Sequence, residues 1–491
     1  MRTSCLLGLD VGGTSIKCIA MTPQGQTLAV VRSSNGGVHI PYGVYAEKLL
    51  SDVLRVLAAT VSSVKSSYPL VEFLGISVSA MGCAAVILDH DGRQLLLPVC
   101  ESEAFPAPDA DPYFATGYHS DYPNFRFNLL HAGEFAVTAL QNAANILSIC
   151  DYVTYSLSGE TSAVYNSASS LSLIDLQKKE WLSDAVFPFK LPPRALPNLI
   201  NSGVLLGSLL PKIAHRIGLP LITPVVSGGQ DYLCAGLASG CDVDASIINV
   251  IGTFDIYSIA QRTCTPSALD GMQCANFWDC HILSGYYSHT YEIVGAFWTE
   301  LLRKNLIRCK LLKPDPLCWK QLLESLEDYT MAPIETKNIF SPPLMADSAS
   351  VEQAQRVLTD RLQRQNSISE CRASLAGIIA GLNLNALYVL SAALSPADVD
   401  KPIVAFGGGT RNAFWMANKA DVLGRAIYLP SAQEASATGA ALLAGVGVGI
   451  YRSTDEAAEV FSKTAFRVFE PDSKRHEQWA SIYHQWLKAK E

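Results

Sequence analysis

The 491-residue chain is too long for one growing core, and at about one domain per 100 to 200 residues it divides most simply into two large ones. Hydrophobic residues make up 49% and charged residues 17%, which excludes whole-chain disorder. Lys plus Arg is 37 against 45 for Asp plus Glu, and the resulting −8 argues against a broad nucleic-acid surface.

The chain opens MRTSCLLGLDVGGTS and reaches Asp10 within a few apolar residues. That is a poor signal peptide, so a cytoplasmic location is expected. Residues 6–9 read as a buried strand, 10–15 (Asp-Val-Gly-Gly-Thr-Ser) as a glycine-rich turn, and 16–21 as a strand returning from it. Residues 27–31 resume strand character. Because a strand follows the turn and no GxGxxG occurs, this is not a dinucleotide fingerprint, and there is no Walker loop. Residues 45–64 place Leu49, Leu50, Val53, Leu54, Leu57 and Val61 at helical spacing. A buried strand at 73–78 ends in Ser79-Ala80-Met81-Gly82, and strands are expected at 84–88 and 95–99. Residues 101–127, rich in Pro, Asp and aromatic side chains, read as a loop or lid; 129–155 reads as helix, and 188–201 as a Pro-punctuated connection.

A second block begins near Thr223. The strand at 224–227 runs into Gly228-Gly229-Gln230-Asp231, and helix is expected from Tyr232. Residues 246–250 and 254–259 are strands flanking the turn Gly252-Thr253. This repeats the strand–Gly/Thr–strand opening of the first half after about 240 residues, which suggests a duplicated fold. Thirteen cysteines without a CxxC pair read as reduced, mostly buried thiols. The group Cys264, Cys274, Cys280, His281 and His289 fits no standard zinc spacing. Residues 369–394 are helical. A strand at 403–406 meets Gly407-Gly408-Gly409-Thr410-Arg411-Asn412, followed by a helix at 413–423, a strand at 427–429 and a helix at 434–446. Mean hydropathy is +0.19, but the most apolar stretch, 435–451, is Ala- and Gly-rich and shorter than the roughly 20 residues a bilayer span needs, so no membrane partner is expected. Strands alternating with helices make the chain α/β.

Four strand-end turns thus combine glycine with a polar residue. Glycine lets a phosphate approach exposed backbone N–H groups, and in open sheets ligands collect beyond the carboxyl ends of strands. Two acids, Asp10 and Asp231, stand directly at strand ends. One suits a water-mediated magnesium position, the other a base that orients a hydroxyl. Lys17, two residues past the first turn, is expected to point to solvent. Trp278, Asp279 and His281 are candidates for a sugar-side wall with an aromatic face, as are the loop aromatics Tyr113, Tyr118, His119 and Tyr122.

LGLDVGGTSIK (7–17), SGGQD (227–231), NVIGTFDIYS (249–258), FGGGTRNAFW (406–415) and EASATGAALLAGVGVG (434–449) occur in an order that resembles the FGGY carbohydrate kinases. These belong to the actin-, hexokinase- and Hsp70-like ATPases. The resemblance implies two ribonuclease-H-like domains, 1–241 and 242–491, around a central cleft, with ATP and Mg2+ as cofactors. It implies that Asp10 lies near the magnesium, that Gly12, Gly13, Thr14 and Ser15 form the first phosphate loop, and that Gly252 and Thr253 form the second. Gly408, Gly409 and Asn412 match the adenosine-side turn, and Asp231 the catalytic base. Ala80, Met81 and Trp278 are carried with Asp231 to the acceptor side.

The departures concern that acceptor. Xylulose kinases have Gln-Met-His-Gly where this chain has Ser79-Ala80-Met81-Gly82, and a Trp-Asn/Asp-x-Arg segment where it has 98–103 without Trp or Arg. The expected activity is ATP-dependent phosphorylation of a small sugar, ketose or polyol. The alternative is a non-catalytic sugar- and nucleotide-binding regulator of the same fold. Homodimerisation is left open.

Overall fold

In the computed structural model, residues 3–35, 39–40, 43–97, 113–119, 122–182, 190–266, 275–326, 339–340, 342–344, 348–363, 367–462 and 466–490 are described. Two mixed sheets organise them. The first is built from β1 (Ser4–Val11), β2 (Ser15–Met21), β3 (Thr27–Ser34), β4 (Glu72–Ala80), β5 (Leu205–Ser208) and β6 (Pro224–Gln230), in the order β5-β6-β4-β1-β2-β3. The second uses β7 (Ile247–Ile251), β8 (Phe254–Gln261), β9 (Ala275–Cys280), β10 (Tyr287–Val294), β11 (Ile403–Phe406), β12 (Ile427–Leu429) and β13 (Arg467–Phe469), in the order β9-β10-β8-β7-β11-β12-β13.

The sheets share one plan. In the first, β1, β2 and β3 form an antiparallel meander, and β4 and β6 add in parallel on the other side of β1. In the second, β7, β8 and β10 form the meander, and β11 and β12 add in parallel beside β7. The duplication expected from the two hairpin openings is therefore the plan of the whole molecule: two α/β domains of the actin-like ATPase type. The 22-residue helix α1 (Ala46–Ser67) covers one face of the first sheet through Leu49, Val53, Leu57, Val61 and Val64.

Two helices join the halves. Helix α2 (Asp231–Leu237) follows β6, and among the helices of the second domain, α3 (Phe297–Arg308), α4 (Ile368–Ala393), α5 (Ala413–Leu423) and α6 (Ala435–Gly447), the last follows β12. The two occupy equivalent places in the duplicated plan, and each packs on the other domain's sheet. Ala235 of α2 lies in one apolar cluster with Ile248 of β7 and Val404 and Phe406 of β11, while α6 packs on β1, β4 and β6. Small residues permit this. A β-carbon on Gly8 would stand 1.9 Å from the Ala437 carbonyl oxygen, and one on Gly439 1.9 Å from that of Cys234. Gly439→Ala is expected to destabilise by at least the roughly 1–3 kcal/mol of core overpacking, because backbone cannot yield as a side chain does; a thermal or urea melt of the variant checks it.

Several expectations are revised. Residues 129–155 are not one helix: Phe125–Ala132 and Glu134–Asn142 are separated by Gly133 at φ 54°, then comes the strand Asn145–Ser148, and Ser148 caps the helix Ile149–Ser158. Strand β10 and helix α3 carried no signal that was read. The segments 98–112 and 120–121 lie outside the described residues, and with them the last two residues of the strand expected at 95–99; of its described part only Leu95 is strand, paired with Ile87. Among the described residues one helix is long and apolar enough to cross a membrane, Ser369–Ala393 within α4, and 83% of its most apolar stretch is buried inside the protein. It is apolar on all sides because it is the spine of the second core, flanked by Trp298, Phe340 and Trp415.

Candidate active site

The carboxyl ends of β1 and β7 meet at the N-terminal ends of the crossing helices, and the predicted turns gather there. At the first, Gly12 N–H donates to Ser15 O at 3.1 Å, and Asn35 closes the loop from beneath through Nδ2 to Gly12 O at 2.7 Å. Gly13 and Thr14 are left exposed. At the second, Gly252 N–H donates to Phe254 O at 2.8 Å, and the start of α3 holds the hairpin through Gly295 N–H to Thr253 O at 2.9 Å. At the third, Gly407 sits at φ 92°, where a side chain would be strained and would strike Ile251. A β-carbon on exposed Gly408 would meet nothing within 4 Å, whereas Gly409 is packed against Ile251. Asn412 caps α5 by accepting from Trp415 N–H at 3.1 Å, and its buried Nδ2 has no partner.

Asp10 is buried, with Oδ2 accepting from Lys17 Nζ at 2.8 Å and Oδ1 from Ser79 Oγ at 3.2 Å. Lys17 therefore does not point to solvent. It is the direct cross-strand partner of Asp10 in the β1–β2 register, so the two side chains share a face. Burial works to lower its pKa, and Asp10, Glu434 and Asp231 together raise it by more. Asp231 begins α2, recessed in the cleft, and among the described residues its Oδ1 accepts only from the Tyr232 N–H of its own helix at 2.7 Å. Burial first, and then the charge of Asp10, push its pKa up to about 7. Ala80 is buried at the end of β4, and Met81 is half-buried, donating its N–H to Val11 O at 3.1 Å.

The second domain supplies the facing wall. On β10, Ser288, Thr290 and Glu292 alternate outward toward α2, while His289 and Tyr291 turn inward. Asp279 of β9 is fully buried and accepts from Tyr118 Oη at 2.9 Å, Tyr232 Oη at 3.0 Å and Ser169 Oγ at 2.7 Å. These three donors all come from the first domain. Burial raises the Asp279 pKa to about 6. It is occupied by protein, and it steadies Tyr232, the neighbour of Asp231. Tyr118 also stacks on Phe277, with ring centroids 4.9 Å apart. Tyr122 leans on the same ring and donates to Glu292 Oε2 at 3.5 Å, while Tyr113 stacks on His119. The aromatic segment is thus pinned to the edge of the second sheet.

Trp278 faces the other way: its indole is buried and stacked 4.1 Å from His289, and its backbone N–H donates to Gly117 O. His281 is likewise turned aside, its Nδ1 accepting from Leu283 N–H at 3.0 Å, and burial lowers its pKa to about 4. Glu292 had escaped the sequence reading. Among the described residues its carboxylate has that single 3.5 Å bond, and burial pushes its pKa up to about 7. Cys83 is held at φ 65°, and burial first, then the charges of Asp279, Glu292 and Asp231, push its thiol well up.

Among the described residues no three His, Cys, Asp or Glu side chains converge as a protein cage for a metal. Asp10 and Asp231 nevertheless supply two hard oxygen groups in electrostatic contact. That donor set fits a magnesium ion that keeps waters and takes phosphate oxygens as its remaining ligands. The exposed turns at Thr14, Thr253 and Gly408, with the Asn412 Nδ2 that finds no partner among the described residues, fit a nucleotide.

Comparison with known proteins agrees with this geometry. Residues 136–238 match the N-terminal domain of the FGGY family of carbohydrate kinases, and 350–448 match its C-terminal domain. The chain is 24% identical to an L-fuculokinase of Escherichia coli O157:H7 over 96% of its length and 98% of that protein's. It is 21% identical to a xylulose kinase of Bacillus subtilis, covering 97% of this chain and 95% of the relative. Its fold matches the crystal structure of Plasmodium falciparum glycerol kinase with ADP at a TM-score of 0.76 and 16% identity, over 99% of this chain and 98% of that one.

Proposed function

The chain belongs to the FGGY family of carbohydrate kinases, whose chemistry is phosphoryl transfer to a small sugar or polyol, and we propose that it moves the γ-phosphoryl group of ATP to a neutral polyhydroxylic acceptor with Asp231 as the general base. One observation carries the reading most directly. Asp231 is a recessed carboxylate whose hydrogen-bonding is confined to its own backbone, with a pKa raised to about 7, beside Asp10. A base in that condition is poised at neutral pH.

The division at 241/242 puts Asp231 and the first phosphate loop in one domain and the second phosphate loop and adenosine turn in the other. Gly12, Gly13, Thr14 and Ser15 make the first phosphate loop, closed by the Gly12 N–H on Ser15 O, and Gly252 and Thr253 make the second, closed by the Gly252 N–H on Phe254 O. Gly408, Gly409 and Asn412 take the adenosine side. Asp10 would hold magnesium through water, which when bound offsets charge on the phosphoryl oxygens. Asp231 takes the proton of the acceptor hydroxyl as its oxygen bonds to the γ-phosphorus. The bond from that phosphorus to the β–γ bridging oxygen breaks, and ADP leaves with the electron pair. Closure around the acceptor keeps water from replacing it.

On the acceptor side, Ala80 pairs in register with Gln230, the residue before Asp231, Met81 follows it, and Tyr122 is bonded to Glu292 across from the first domain, with Trp278 packed on His289 on the other face of that sheet. A carboxylate with one long hydrogen bond has acceptor capacity left for acceptor hydroxyls. Glu292→Gln is expected to raise the KM for the acceptor about tenfold, the cost of one charged hydrogen bond, with Mg·ADP affinity unchanged. Steady-state kinetics with calorimetry of ADP checks the split.

The test of the whole reading is acceptor-dependent ADP release from Mg·ATP across pentuloses, hexuloses, deoxysugars and polyols. A high rate with one acceptor, lost in Asp231→Asn, supports it. Acceptor binding with no turnover anywhere in the panel would favour a silent regulator.

A further inference from the structure

Glu434 has no part in the chemistry above, yet the fold goes to some length to place it. It is the N-cap of α6, at φ 43° and ψ 64°, a left-handed conformation that a β-carbon disfavours and that glycine would adopt more easily. It performs no capping: its side chain makes no bond to the first turn of its helix. The carboxylate instead crosses to the first domain, where Oε1 pairs with Arg32 of β3 and Oε2 stands 3.6 Å from Lys17 Nζ on β2. An uncommon backbone conformation held by the surrounding fold is a reason to ask what the side chain does. In the duplicated plan Glu434 stands, within one residue, where Asp231 stands in the first half, at the head of the helix after the last parallel strand: Glu434 is the N-cap of its helix and Asp231 the first residue of the other.

Lys17 Nζ thus stands between two carboxylates. It is bonded to Asp10 at 2.8 Å and within 3.6 Å of Glu434. While it rests on Asp10, one oxygen of that group is occupied and the other accepts from Ser79. A divalent cation facing Asp10 meets an ammonium already there, and two cations on one carboxylate repel. The lysine therefore has to yield, and Glu434 is the acceptor within reach of a rotation of its terminal carbons. Arg32 occupies only the far oxygen of Glu434 and leaves the near one to Lys17.

We propose that Glu434 is a positioning residue that receives Lys17 when a divalent cation takes Asp10, so that cation arrival exchanges the Asp10–Lys17 ion pair for a Glu434–Lys17 pair. This rests on the reading of Asp10 given above. It also gives the cation a mechanical consequence. Lys17 already stands 3.6 Å from Glu434, and the exchange draws the two into full contact; the pair joins the head of α6, which enters from the second sheet, to β2 of the first, so the link between the domains tightens at the floor of the cleft.

Calorimetry of ADP binding, with excess magnesium and then with EDTA, tests this in wild type, Glu434→Gln, Lys17→Met and the double variant. The readout is the factor by which magnesium strengthens ADP binding. Glu434→Gln is expected to cut that factor about tenfold, within the usual range of coupling energies, and to leave the EDTA value within about twofold. In the Lys17→Met background the same substitution is expected to change nothing, because no lysine needs a second partner. Glu434→Gly, which suits the left-handed backbone, should repeat the loss and guards against a folding defect in the Gln variant. An undiminished magnesium factor in Glu434→Gln, or an equal loss with and without Lys17, overturns the exchange while leaving the nucleotide site standing. Wild-type protein that binds no ADP under either condition overturns the kinase reading and this one with it.

Discussion

Asp231→Asn is expected to lower kcat by about 10²-fold or more, the scale of losing a general base, while Mg·ADP and acceptor bind within about twofold of wild type. Asn keeps the shape of the side chain and can still accept the Tyr232 N–H bond, so folding has little reason to change. The pH profile separates this role from a structural one. With a pKa of about 7, raised by burial and then by Asp10, the base is half protonated near neutrality. Wild-type kcat/KM should therefore rise with pH through about 7, and the residual activity of the Asn variant should not. Stability runs the other way. A carboxyl whose folded pKa exceeds its unfolded value near 3.8 binds the proton more tightly in the folded state, so its contribution is complete below that value and is lost as pH climbs through about 7. Asp231→Asn removes a buried charge at alkaline pH and should melt higher than wild type at pH 8. Lost turnover together with raised stability is the signature of a group kept for function. Unchanged turnover would end its assignment as the base.

How much of this could be read along the chain follows from how local each contact is. The turns at 10–15, 252–253 and 407–412 and the acids Asp10 and Asp231 stand at strand ends, so a few neighbouring residues mark them. Lys17 was within reach as well. Two residues past a hairpin turn, it falls opposite Asp10, and cross-strand partners share a face; the register, not the exposure of the turn, decided its direction. Glu292 and Glu434 gave no such signal, and Asp279 is legible only as a candidate for a sugar-side wall, not through the partners it takes. Asp279 draws its donors from Tyr118, Ser169 and Tyr232, and Glu434 meets Lys17 and Arg32 from some 400 positions away, contacts that exist only once both sheets are assembled. Trp278 shows the converse. Its neighbours Phe277 and Asp279 face the cleft, and strand alternation sends the indole to the opposite side, onto His289. An aromatic residue in the right segment was on the wrong parity.

The second large effect is expected far from solvent, beneath the second phosphate hairpin. Lys419 of α5 is fully buried, and its ammonium donates to Asp255 Oδ2 at 2.8 Å, Asn249 Oδ1 at 3.0 Å and Tyr257 Oη at 2.7 Å. Asn249 donates in turn to Asp255 Oδ1 at 2.6 Å. Every member is satisfied, so the group is stable as a set and costly to break singly. Burial pulls the Lys419 pKa down, and only Asp255 opposes it. Asp255→Ala leaves a buried ammonium without its counter-charge and should cost about 3–5 kcal/mol, whereas Asp255→Leu combined with Lys419→Met should recover much of that loss, because a well-packed apolar pair of similar volume removes both desolvation penalties. Urea titration following Trp298 and Trp415 fluorescence, both buried in the same core, measures the difference. The apolar pair then isolates what the charges do for the site. Asp255 is the second residue of the strand leaving Gly252-Thr253, and Lys419 lies in the helix capped by Asn412, so the network ties the second phosphate turn to the adenosine turn. If it holds them at a common spacing, the double variant folds near wild-type stability but binds ADP several-fold more weakly. Equal ADP affinity in that variant would confine the network to stability.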